Sequence, residues 1–132
     1  MLERWNPDSL HTPPGYHHVT VAQPGRLVAL AGQCPLDAGG DLVGADHAAQ
    51  AEQVAANIAV ALASAGAAPS DVVRTVIYVR SDDREDLSRV WAALTTSEVA
   101  AAFTSAATLL GVAQLGYPGQ LVEVDVTAVL PV

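Results

Sequence analysis

The sequence predicts an α+β fold in the order β-β-α-β-α-β-β, with two helices on one face of a mixed sheet. Three observations predict it. Two stretches carry helical spacing and recognisable caps, the intervening runs are β-branched or alternate in polarity, and 132 residues suit one domain with one core. With 51% hydrophobic and 15% charged residues, the chain is far from the composition of disordered proteins.

The elements follow in order. Pro7, Pro13 and Pro14 predict an irregular arm over residues 1–15, ahead of a single domain over 16–132. YHHVTVA (16–22) alternates, QPGR supplies turn chemistry and LVALA follows, which together read as a β-hairpin. LDAGGDLVGAD is a glycine-rich loop with at most a short extended piece. Asp46 is the expected N-cap of a helix over 47–65, closed by Gly66 and followed by Pro69, with Val54, Ile58 and Leu62 as its buried ridge. Alanine, 25 of the 132 residues, points to close packing of that helix on the sheet.

VVRTVIYV (72–79) reads as a strand buried on both faces. The second helix starts at a Ser81 or Asp82 cap and turns Leu87, Val90, Trp91 and Leu94 inward. TLLGV (108–112) is a short strand, 114–120 a turn, and LVEVDVTAV (121–129) the last strand. Two helices cover one face of such a sheet. Its other face is also rich in apolar residues, which predicts burial against further copies of the chain and ligand clefts between them.

Charge narrows the function. Fourteen acidic residues stand against six arginines and no lysine, a formal charge of −8. The absence of lysine excludes Schiff-base catalysis on the chain, an internal pyridoxal aldimine and a P-loop lysine. The acidic balance argues against nucleic acid as a partner. One cysteine, Cys34, rules out an intrachain disulfide. No apolar stretch approaches membrane-spanning length, so a soluble, cytoplasmic protein is expected.

Candidate chemistry concentrates in the last strand, whose alternation puts Glu123 and Asp125 on one face. At a subunit interface such a carboxylate could orient or activate water. His11, His17, His18 and His47 lack metal-ligand spacing, Cys34 has no placed base and reads as inert, and Tyr16 offers a phenolic donor. No cofactor is called for.

LAGQCPLD, QAEQVAANIAVALASAG, APSDVVRTVIYVRSDD and TLLGVAQLGYPGQLVEVDVTAVL, in this order, resemble the reactive-intermediate deaminase family, also called RidA or YjgF-like. The resemblance runs from about Tyr16 to Val129. It implies a chorismate-mutase-like fold, a homotrimer with inter-subunit clefts, and cofactor-free hydrolysis of enamines or imines to ketones and ammonia. It also implies a cleft tyrosine at Tyr16, small residues at Ala31 and Gly32, and a water-positioning carboxylate at Glu123. The chain departs from the family pattern at two places. Ala106 stands where the deaminases carry a substrate-clamping arginine, followed by Thr108, and Trp91 replaces a cleft asparagine. A bidentate arginine–carboxylate contact is worth roughly 2–4 kcal/mol, which a methyl group cannot supply. The expected substrate is therefore an enamine or imine other than a small 2-imino acid. The alternative is a trimeric small-molecule binding or regulatory protein that kept the cleft and lost the chemistry. Whether Arg74 reaches that cleft, spacing alone leaves open.

Overall fold

A computed structural model describes residues 2–132. It contains strands β1 (Leu2–Trp5), β2 (Val19–Ala22), β3 (Gly25–Ala29), β4 (Val72–Arg80), β5 (Ala106–Val112) and β6 (Val122–Pro131), and helices α1 (His47–Ser64) and α2 (Arg84–Thr95). Four strands form a mixed sheet in the order β3-β6-β4-β5, in which only β4 and β5 run parallel, joined through α2. β1 and β2 form a separate antiparallel ribbon. The α+β class stands, divided between two sheets where the sequence predicts one.

The ribbon corrects two local expectations. Residues 2–5 are a strand where an irregular arm is expected: Leu2 to Trp5 pair with Ala22 to Val19. β2 and β3 do not form a hairpin, and β3 pairs instead with β6. A two-residue hairpin turn needs left-handed backbone at its centre. Pro24 cannot adopt it, and Gly25 has no positive φ. Gly25 lies inside β3, and a Cβ there would fall 2.0 Å from the carbonyl oxygen of Leu130, so the missing side chain lets β3 close on β6.

Both helices are capped by their own sequence. Asp46 accepts from the Ala49 N–H at 2.8 Å. At the other end Gly66 (φ +78°) reverses the chain, and the Gly66 and Ala67 N–H groups donate to Ala63 and Leu62. The cap of α2 is Asp83, not Ser81 or Asp82, accepting from Glu85 N–H at 2.9 Å. Ser81 serves the same turn differently, donating to Asp86 Oδ2 at 2.7 Å while Arg89 donates to Oδ1 at 2.7 Å. Chiefly through the Ser81 bond, the Asp86 carboxyl is held below its ordinary value. A depressed folded-state value stabilises above the unfolded value, near pH 4, and the contribution disappears as pH falls through the folded one. Asp86→Asn should therefore lower Tm at pH 7, and the difference from wild type should close as pH falls through the folded-state value.

Val54, Ile58 and Leu62 of α1 are fully buried against Ile77 and Val79 of β4 and Val122, Val124 and Ala128 of β6. The alternation of β6 is as expected. Val122, Val124 and Val126 face the helices, and Glu123, Asp125, Thr127 and Val129 face the other way, onto a side that no helix among the described residues covers. Leu27 (70% exposed) and Leu110 (43%) lie on strands flanking that open face. No helix among the described residues is long and apolar enough to cross a membrane.

Candidate functional site

Beyond β3 the chain continues alongside β6. Leu30 N–H donates to Val126 O, and Gln33 and Val124 exchange backbone hydrogen bonds of 2.8 and 3.1 Å. This register lays Gly32 and Cys34 over the polar residues of β6. A Cβ on Gly32 would fall 2.2 Å from Glu123 Oε2 and 3.0 Å from Asp125 Oδ1, so both carboxylates come up beside a position with no side chain. α1 fixes the segment, because Asn57 Nδ2 donates to the carbonyls of Cys34 and Leu36, each at 2.9 Å.

The two oxygens of Glu123 differ. Oε1 accepts from the Cys34 thiol at 3.3 Å and from Gln120 Nε2 at 3.2 Å, whereas Oε2 is the oxygen against Gly32. Burial first, and then the Glu123 carboxylate through its hydrogen bond and its charge, push the Cys34 thiol up to about 11. Its thiolate is scarce at neutral pH, consistent with the inert thiol expected from the sequence. At pH 8, iodoacetamide should alkylate Cys34 at least about a hundredfold more slowly than free cysteine. Glu123→Gln should speed that reaction severalfold while leaving it slow, since burial remains. An unchanged rate would contradict the contact.

On the neighbouring strand, Tyr78 stands opposite Glu123, and its hydroxyl donates to Asp125 Oδ2 at 3.2 Å. The charge of Asp125 is the main reason that the phenol is raised above its ordinary value.

The other sequence-predicted residues lie in two further places. Ala106 is the register neighbour of Arg74, and Thr108 of Val76. Arg74 Nη2 reaches Thr108 Oγ1 at 3.4 Å, so a cation does stand beside the alanine. Ala106 and Arg74 lie four strand residues from the Glu123–Tyr78 pair, about 13 Å along the strands, with Thr108 two residues nearer. Tyr16 and Trp91 meet edge to face, with centroids 5.9 Å apart, in a cleft of about 490 Å³ lined also by Pro14, Ser88, Ala107 and Leu109. Ala107 and Leu109 alternate with Ala106 and Thr108, which places this cleft on the helix side of the sheet. Within one subunit the sheet therefore separates Tyr16 and Trp91 from Glu123. Ala31 adjoins Gly32, and its carbonyl accepts from Gln33 Nε2 at 3.0 Å.

The sequence reading missed Gln120, taken only as a turn residue, and Asn57, hidden among the alanines of α1. Asn57 acts on carbonyls 23 and 21 residues away, for which single-chain periodicity carries no signal, and Gln120 acts within three residues but in a turn that has no periodicity to read. Among the described residues, no three His, Cys, Asp or Glu side chains gather as a metal site.

A mixed sheet backed by two helices, with a carboxylate beside a glycine on its open face, defines the class to which this chain belongs: the endoribonuclease L-PSP family, whose model matches residues 8–130. At the level of that family, the role is that of a small-molecule deaminase or an endoribonuclease-like protein. Among solved structures the chain is similar to YyfB of the conserved Rid protein family from Yersinia pestis, with 35% identity over 98% of both chains and a TM-score of 0.89. It is also similar to Rv2704 of the YjgF/YER057c/UK114 family from Mycobacterium tuberculosis, with 28% identity over 98% of this chain and 100% of that one and a TM-score of 0.65. A further similar structure is NMB1025 of the YjgF family from Neisseria meningitidis, with 29% identity over 98% and 94% and a TM-score of 0.65. No curated protein matches the chain.

Proposed function

We propose that this protein is a cofactor-free hydrolase or tautomerase of enamines or imines, working between subunits of a homotrimer, with Glu123 handling water or a proton. The observation that carries this reading is the asymmetry of the Glu123 carboxylate: Oε1 is held by two donors, and Oε2 lies beside a residue without a side chain. An enamine protonated at carbon becomes an iminium. Water adds to the iminium carbon, its proton passing to Oε2; that carboxyl then protonates the carbinolamine nitrogen, ammonia leaves, and the hydroxyl gives up its proton to form the ketone, replacing the one first taken up at carbon. Enamine and water are thus converted to ketone and ammonia without an oxidant or a metal.

The need for a second copy rests on distance. Tyr16 and Trp91 are behind the sheet, and Ala106, two strands across from β6, is also offset from Glu123 by about 13 Å along the strands, so one small substrate can meet both groups only where two subunits adjoin. The uncovered apolar side chains Leu27 and Leu110 support the same assembly. Tyr16 and Trp91 give the cleft an aromatic wall, and Ala106 presents a methyl group. Both favour an imine or enamine with an apolar substituent over a small 2-imino acid. The single cysteine suits a reducing compartment, and we place the protein in the cytoplasm.

The test is the decay of imines generated in situ, amino-acid-derived and carboxylate-free, followed with wild type, Ala106→Arg and Arg74→Ala. Faster decay of the carboxylate-free imine with wild type, and a gain on the 2-imino acid with Ala106→Arg, are the expected results. Efficient 2-imino acid hydrolysis by wild type that Arg74→Ala removes would reverse the substrate preference and assign Arg74 the clamp. The methyl at Ala106 also favours a second reading, a trimeric binding protein without turnover. It is supported if no imine decays faster in any variant while a ligand copurifies.

A further inference from the structure

Gln120 is 1% exposed, lies two residues before β6 begins, and its side-chain amide makes three contacts. Its Oε1 accepts from the backbone N–H of Tyr117 at 3.1 Å, and its Nε2 donates to the carbonyl of Val122 at 3.0 Å. One backbone donor and one backbone acceptor leave a single orientation for the amide, so the end facing Glu123 is the NH2 end. The remaining hydrogen of that NH2 goes to Glu123 Oε1 at 3.2 Å. A second buried glutamine, Gln50, braces the same turn without touching Glu123. Its Oε1 accepts from Leu121 N–H at 2.7 Å, and its Nε2 donates to the carbonyls of Gly119 and Gly44 at 3.0 and 3.2 Å.

We infer that Gln120, assisted by Cys34, is a positioning residue: the two donors hold Glu123 Oε1 so that Oε2 is presented past Gly32. This deepens the reading of Glu123 as the working carboxylate and rests on it. A Glu side chain has three rotatable bonds, and on an open sheet face it would sample several rotamers. A donor immobilised by two backbone bonds restricts it at little further entropic cost, because Gln120 is already fixed. The other groups facing Glu123 act in known directions. Asp125 on β6 opposes its charge, the Tyr78 hydroxyl on β4 is directed to Asp125, and Arg74 is farther along β4.

The experiment uses the full chain and reads Glu123 in two ways. The chain has five glutamates, so the Glu123 side chain can be assigned by NMR from its loss in Glu123→Gln, and its three-bond couplings report whether it holds one rotamer. Gln120→Met, similar in length but without donors, should move those couplings toward rotamer-averaged values and lower kcat about tenfold with KM little changed. Cys34→Ala should do the same to a smaller degree, and Cys34→Ser, which retains a donor, should restore wild-type values. Gln50→Met is the structural control: it should lower Tm yet leave the Glu123 couplings unchanged. If Gln120→Met folds by circular dichroism and the couplings are unmoved, the inference is overturned. Should Gln120→Met fail to fold, the Cys34→Ala and Cys34→Ser pair decides in the same way. Averaged couplings in a protein that hydrolyses no imine would uphold the clamp and overturn the enamine reading alone.

Discussion

Glu123→Gln should retain the fold and lose imine turnover by about 10²–10³-fold, the usual range for removing a general base. The substitution keeps size and shape, and position 123 alternates away from the core, so stability should change little. Gly32→Ala reaches the same carboxylate from the other side. Its methyl would sit 2.2 Å from Oε2, so either the carboxylate swings away or the segment from Gly32 to Cys34 lifts off β6. The backbone itself would accept the alanine, because Gly32 has no positive φ. The expected outcome is a loss comparable to that in Glu123→Gln, with Tm nearly maintained, read by steady-state kinetics beside thermal unfolding. Turnover within tenfold of wild type in both variants would remove Glu123 from the chemistry.

The largest effect on stability is expected from Phe103→Ala. Phe103 is the only phenylalanine, 1% exposed, and meets Trp91 edge to face at 6.2 Å beneath the short 3-10 turn Ala100–Thr104. Alanines abound nearby, and small neighbours cannot move in to fill the space. Deleting the ring should cost about 3–5 kcal/mol, which for a chain of this length is a fall of about 10–20 °C in Tm. Measurements belong at matched protein concentration, because association would add to apparent stability. Trp91 also loses a neighbour on the side away from Tyr16, so the aromatic cleft should loosen in the same variant, visible as a change in tryptophan emission.

Legibility in the sequence followed the range of the interaction concerned. Asp46, Gly66 and the Val54–Ile58–Leu62 ridge act within one or two helical turns, and they were readable because their partners are neighbours in the chain. The two faces of β6 were readable for the same reason, since alternation is local. The pairing of β2 was not. β2 found its partner in residues 2–5, whose four-residue run LERW has no distinctive strand pattern, while QPGR imitated a hairpin turn that Pro24 cannot close. At the site, Glu123 could be singled out from its strand and from the family resemblance. Cys34 and Asn57 act through contacts set only once β6, the Gly32–Cys34 segment and α1 are packed, and Gln120, though its partners are within three residues, sits in a turn without a periodic pattern. Arg74 stood in plain view as a charged residue within an apolar strand, yet its place beside Ala106 depends on the parallel register of β4 and β5.

The amino-terminal ribbon is fastened to the opposite end of the sequence. Arg4 Nε donates to Ser105 Oγ at 2.8 Å, Ser105 Oγ in turn donates to the Val72 carbonyl, and Thr20 Oγ1 accepts from Ala106 N–H at 2.9 Å. During synthesis, residues 4 and 20 leave the ribosome long before residues 105 and 106 exist; they can pair with each other in the ribbon, but their fastening to β5 must wait until most of the polypeptide has emerged. Docking of the ribbon is thus a late event in biogenesis, and it orders the start of β5, where Ala106 and Thr108 lie.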